Sequence, residues 1–143
     1  MRISIISILF LLSTLTINAQ EWQTDLSKAK EIAKEKSRKI VLVFSGSDWC
    51  APCIKLENEI WNSDEFKTFA KDNFVLLKAD FPRKKKNKLS EEQQEKNNKL
   101  AEQYNLHGYF PFVAVLDSGG KILGTTGYKK TSPKEYVKIL TSF

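Results

Sequence analysis

The sequence predicts an α/β domain built on a four-stranded mixed sheet, two parallel strands followed by an antiparallel hairpin, with helices on both faces. Three observations carry this expectation. Ile40-Val41-Leu42-Val43-Phe44 is a short β-rich apolar run of the kind that forms a strand buried on both faces. Phe74-Val75-Leu76-Leu77-Lys78-Ala79-Asp80 reads as a second strand, and the helical pattern between the two favours parallel pairing through a right-handed crossover. Downstream, Phe112–Leu116 and Lys121–Gly124 flank the turn Asp117-Ser118-Gly119-Gly120 and form a hairpin.

Met1 to Ala19 has the layout of a secretory signal: an early positive charge at Arg2, a run of Ile, Leu and Phe diluted by Ser and Thr, then Ile17-Asn18-Ala19. Its apolar stretch is short for a membrane span of about 20 residues, and no basic stop-transfer cluster follows it. Cleavage after Ala19 leaves residues 20–143 as one domain, in the periplasm or outside the cell. The formal net charge of +6 is basic, yet too dispersed to indicate a nucleic-acid binder.

Before, between and after the strands, apolar residues recur at helical spacing. Trp22, Leu26, Ala29, Ile32 and Ala33 predict an amphipathic helix over Thr24 to Ser37, with Trp22 as a core anchor. Asn62-Ser63 offers an N-cap for a helix through Asp64 to Lys71. Ser90 with Gln93 has the capping-box spacing at the start of a helix to about Gln103. Ser132-Pro133 caps a last helix carrying Tyr136, Val137 and Leu140. Pro82-Arg83-Lys84-Lys85-Lys86-Asn87-Lys88 reads as a solvated loop, because like charges in a row repel and stay in water. Docking of an acidic partner is the other reading.

Both cysteines of the chain fall in Trp49-Cys50-Ala51-Pro52-Cys53, at the junction between the first strand and an amphipathic helix. Pro52 suits the first turn of that helix, and Cys53, Leu56 and Ile60 then share one face. Cys50 therefore lies at the helix N-terminus, where unpaired N–H groups and the helix dipole favour a thiolate. Residues three apart on a helix are close enough for a disulfide to open and close without refolding. Cys53, one turn deeper, is the more protected thiol. A structural zinc site usually takes four N or S ligands and the rest of the chain offers one histidine, His107, while a structural staple closing so short a loop constrains little of the unfolded chain.

The run Trp49-Cys50-Ala51-Pro52-Cys53 after a buried strand resembles the W-C-x-x-C site of the thioredoxin superfamily. Asp48-Trp49-Cys50 continuing into Lys55-Leu56-Glu57 is similar to its secreted bacterial members. The resemblance covers about residues 22 to 143 and extends to Phe110-Pro111-Phe112-Val113, which is similar to the family's cis-proline loop and following strand. The resemblance implies a thioredoxin-like fold whose first strand is absent or reduced to a few residues near Glu21. It also implies Cys50 as the attacking thiolate, Cys53 as the resolving thiol, and Trp49, Tyr109, Phe110 and Pro111 as substrate contacts, with Pro111 cis. No cofactor and no metal ion are expected.

Two departures from the family pattern stand out. Phe44 occupies the position six before Cys50 where many thioredoxins carry a buried acid, and Gly108-Tyr109-Phe110-Pro111 is one residue longer than the common spacing. The expected function is a secreted thiol–disulfide oxidoreductase acting on proteins with disulfides or dithiols. It would be monomeric and served by a membrane electron donor. The competing expectation is a non-catalytic thioredoxin-fold binding module whose cysteines form a structural disulfide.

Overall fold

The computed structural model of the chain describes residues 20–143, and the secretory leader expected at residues 1–19 lies outside the described residues. Strands β2 (Lys39–Ser45) and β3 (Phe74–Asp80), numbered after the short β1 below, pair in parallel from Lys39 opposite Phe74 to Ser45 opposite Asp80. On the other side of β2, β4 (Phe112–Leu116) runs antiparallel with Phe44 opposite Phe112, and β5 (Ile122–Thr126) completes the hairpin. A two-residue β1 (Trp22–Gln23) adds in parallel to β3 opposite Leu76 and Leu77, giving the order β1-β3-β2-β4-β5. The sheet thus has five strands where four were expected. The fifth is the remnant anticipated near Glu21, too short to leave a periodic signal.

Side chains alternate along each strand, so the sheet carries two apolar faces. Val41, Val43, Leu76, Val113 and Val115 meet Leu56 of α2 (Ala51–Leu56), Ile60 and Trp61 of a π-helical turn (Glu57–Trp61), Phe66 of α3 (Asp64–Asn73), and Tyr136 and Leu140 of α5 (Pro133–Thr141). Ile40, Leu42, Phe44, Val75, Leu77 and Leu116 meet Ala29 and Ala33 of α1 (Leu26–Lys36) and Leu100 and Tyr104 of α4 (Glu91–Tyr104). Burial on both faces is why β2 is apolar without alternation, and each large side chain it buries contributes about 1.5–3 kcal/mol.

Caps set the helix starts. Asp25 accepts the Lys28 N–H at 3.0 Å, so α1 opens at Leu26, two residues later than Thr24, and it closes at Ser37 in the left-handed region (φ 52°). Ser63, Ser90 and Ser132 accept N–H groups from Phe66, Gln93 and Glu135. The box at Ser90 is only half formed. The Gln93 amide turns instead to the Thr24 carbonyl and to Asn97, a buried amide that needs partners. Trp22 packs edge-on against Trp61 with ring centroids 5.8 Å apart, the core role expected of it. Where α2 passes into the π turn, the inserted residue rotates the buried stripe so that Ile60 and Trp61 both point inward.

Candidate active site

The parallel strands β2 and β3 end side by side, and the chain leaves β2 through Gly46, Ser47 and Asp48 directly into the cysteine pair. Open α/β sheets place their sites at this strand edge. Cys50 is the N-cap residue of α2, with Pro52 in the first turn. Cys50 and Cys53 form a disulfide across Cα atoms 5.2 Å apart. The Cys53 N–H donates to Cys50 Sγ at 3.3 Å, and the Gly46 N–H points at Cys53 Sγ at 3.5 Å. Both sulfur-bearing residues are nearly covered, with 5% and 3% of their surface exposed.

The approach turn is held from the β3 side. The Ser47 N–H and hydroxyl donate to the Asp80 carboxylate at 3.0 and 2.6 Å, and the Trp49 indole N–H donates to the Phe81 carbonyl at 2.8 Å. A Cβ on Gly46 would run into the Trp49 indole, so glycine is what lets that ring lie against the turn. Phe110 meets the Trp49 ring edge-on at 5.5 Å and packs on Phe81 at the same separation. The Phe110–Pro111 peptide is cis. Trp49, next to Cys50 in sequence, is therefore in ring contact with Phe110, the residue that opens the cis peptide. Tyr109, 59% exposed, stands further out, between Phe112 and the exposed His107.

Three residues to which the sequence reading gave no role shape this corner. The Asp48 carboxylate accepts the Arg83 N–H (2.9 Å), the Lys84 N–H (3.0 Å) and the Asn87 amide (2.9 Å). The Arg83 bond, then the Asn87 amide, hold its carboxyl below the usual 3.8. Asn105, 5% exposed, clamps the turn before the cis peptide, accepting from the Tyr109 N–H and donating to the Tyr109 carbonyl. Asn97 donates to the Asp80 carbonyl at 2.8 Å and ties α4 to the strand end. Only the Asp48-Trp49-Cys50 adjacency hinted at the first, and no local pattern marked the other two.

The basic segment 82–88 was read as a solvated loop. Its residues 83–88 are exposed as that reading expects, but its backbone is anchored beside the site, with a single 3-10 turn over Lys85–Asn87 and the Arg83 guanidinium 3.6 Å from the Trp49 ring centre. Phe44 belongs to the α1 and α4 face, fully buried against Phe112, so the position six before Cys50 is apolar packing. On the α2 face, Glu57 stands one helical turn past Cys53 and pairs with Lys78 of β3 at 2.9 Å. A cleft of about 530 Å³ opens along β1, lined by residues including Gln23, Arg38 and Phe74 and by none of the predicted site residues.

A family model described as thioredoxin-like matches residues 21–118. A disulfide bond reductase, DsbH, of Chlamydia pneumoniae is 38% identical over 122 residues, 85% of this chain and 71% of the relative. The solved structure of a DsbH oxidoreductase superposes with a TM-score of 0.79 at 36% identity, covering 92% of this chain and 90% of that one. A disulphide isomerase from Xylella fastidiosa Temecula1 shares the fold at 21% identity with a TM-score of 0.60, over 82% and 86% of the two chains. These likenesses favour a thiol–disulfide oxidoreductase over a binding module. A match that runs from β1 through the disulfide to β4, joined by relatives alike over most of both chains, makes this protein a member of the thioredoxin-like family.

Proposed function

We propose that this chain is an extracytoplasmic disulfide reductase that donates two electrons from the Cys50/Cys53 dithiol to disulfides in polypeptides. The observation that carries the reading is the Cys50–Cys53 disulfide at the start of α2, with Cys50 Sγ facing a backbone N–H that stabilises negative charge. In the reduced form the Cys50 thiolate attacks one substrate sulfur, breaking the substrate disulfide, forming a mixed disulfide and releasing the first substrate thiolate. Cys53 then loses its proton and attacks Cys50 Sγ. The second substrate sulfur leaves and takes up a proton, and the Cys50–Cys53 disulfide is restored. A dithiol donor must reduce it again.

Trp49, Phe110, Tyr109 and Pro111 form the contact surface in this scheme. Phe110 offers its backbone beside the Trp49 ring, and Tyr109 presents an exposed ring to the substrate chain. The reducing direction is supported by Ala51-Pro52, which lacks a histidine between the cysteines, and by a 38% identical relative that bears the name of a reductase. The leader-like residues 1–19 support export.

Insulin reduction with a dithiol donor tests the reading, together with the reduction potential of the pair against glutathione. Turnover is expected in the intact protein and none in Cys50→Ser, with a potential toward the reducing end of the family's range, about −270 mV. Cys53→Ser should accumulate mixed disulfides through Cys50, because nothing resolves them. Equal turnover in the intact protein and Cys50→Ser would overturn the assignment.

A further inference from the structure

Arg83, Lys84, Lys85, Lys86 and Lys88 are all exposed, and among the described residues none of them joins an ion pair. A run of five cations in six residues would ordinarily stay extended in water, its charges apart. Here it is folded back. Asp48, two residues before Cys50, takes both the Arg83 and Lys84 N–H groups and the Asn87 amide, and the Phe81 N–H donates to the Ser45 carbonyl at 2.8 Å. Arg83 lies on the face of Trp49, the residue next to Cys50, while Phe110 holds the edge of the same ring. Among the described residues the one carboxylate hydrogen-bonded to the loop, Asp48, spends its oxygens on N–H groups, which leaves the ammonium groups free to face a partner.

We propose that this loop is a docking surface for an acidic segment of the polypeptide whose disulfide is reduced, so that carboxylates flanking a substrate cystine engage Lys84, Lys85, Lys86 and Lys88 while the cystine meets Cys50. The proposal rests on the reductase reading above. An acidic polypeptide fits better than an anionic lipid surface because Arg83, at the head of the run, lies on the face of Trp49, the neighbour of Cys50. What binds them is thereby brought to the sulfur atoms, and a lipid carries no disulfide to reduce. Complementary charge of this kind acts chiefly on the rate of encounter, and salt screens it.

The test uses two synthetic peptides with the same central cystine, one flanked by Glu and Asp and one by Ser and Gln. The reduced protein should turn over the acidic peptide about tenfold faster in kcat/KM at low salt, within the range for electrostatic steering. That advantage should shrink toward unity near 1 M salt. The variant Lys84→Gln/Lys85→Gln/Lys86→Gln/Lys88→Gln keeps Arg83 on Trp49 and the backbone bonds to Asp48. It should lose the advantage while reducing the neutral peptide at the original rate. Binding of both peptides to Cys50→Ser/Cys53→Ser, followed by tryptophan fluorescence, decides the docking surface even if neither peptide is turned over. Tighter binding of the acidic peptide would then uphold the surface while the reductase reading falls. Equal binding and equal rates for the two peptides, or a preference that survives in the fourfold variant, would overturn the proposal. So would lysine-dependent sedimentation with phosphatidylglycerol vesicles without any peptide preference, which would assign the surface to lipid.

Discussion

Cys50 and Cys53 are three residues apart and nearly equally covered, yet their surroundings differ in kind. Each sulfur accepts one backbone N–H, from Cys53 to Cys50 at 3.3 Å and from Gly46 to Cys53 at 3.5 Å, but Cys50 caps α2 whereas Cys53 sits on the α2 face turned to the core. In the reduced protein, limiting iodoacetamide at neutral pH should therefore alkylate Cys50 well before Cys53, because the thiolate is the nucleophile and the helix start favours it. Peptide mass mapping reads the order directly, and equal labelling would contradict it. This asymmetry was legible in the sequence, since Pro52 and the Cys53, Leu56 and Ile60 spacing fix where the helix starts and which side faces inward. The partners of Asp48, Asn97 and Asn105 were not legible. Each binds backbone groups 4 to 36 residues away, and a polar side chain's choice among such partners leaves no periodicity in the sequence.

At the scale of elements, the strands followed from apolar runs and three of the helix starts from Ser63, Ser90 and Ser132, whereas the Asp25 cap of α1 was not anticipated. Nor were the π turn after α2 and the folding of segment 82–88. The latter depends on Asp48, whose carboxyl is held low chiefly by the Arg83 N–H. A carboxyl with a folded value below its unfolded one adds stability that is fully present above the unfolded value, here 3.8, and is lost as the pH falls through the lower folded value. The Arg83 and Lys84 amides should accordingly stay protected from hydrogen exchange at pH 5. They should lose protection, relative to the β2 amides, only as acidification passes below 3.8. In Asp48→Ala the same two amides should exchange faster at pH 5, with no further acid transition of their own. Protection in Asp48→Ala equal to that of the intact chain would mean that the loop is held by the Arg83–Trp49 contact alone, an interaction of about 0.5–1 kcal/mol at an exposed site.

For the whole molecule, the two apolar layers have different duties. The α1 and α4 layer packs aliphatic side chains with Phe44 and Tyr104, and Phe81, Phe110 and Phe112 lie against it, whereas the α2, α3 and α5 layer closes around Trp61, whose ring contacts Trp22, Phe66 and Tyr136 with centroids 5.8, 4.7 and 5.5 Å away. Trp61 thereby joins β1, the π turn, α3 and α5, the elements farthest apart in sequence within that layer. Trp61→Ala should lower the unfolding free energy by about 3–5 kcal/mol, a large share of the roughly 5–15 kcal/mol that a domain of this kind has in all. Urea denaturation should show an earlier midpoint with an unchanged slope, the signature of lost packing in a protein that still unfolds as one unit. The active-site corner is secured separately, through Ser47 to Asp80 and Trp49 to Phe81, so the rate of insulin reduction per folded molecule should stay within about twofold. A larger fall at a temperature where circular dichroism shows the variant fully folded would mean that the aromatic cluster also sets the angle at which α2 presents Cys50. Alignment of the reacting sulfur atoms, which contributes through proximity and orientation, would then be what the distant core protects.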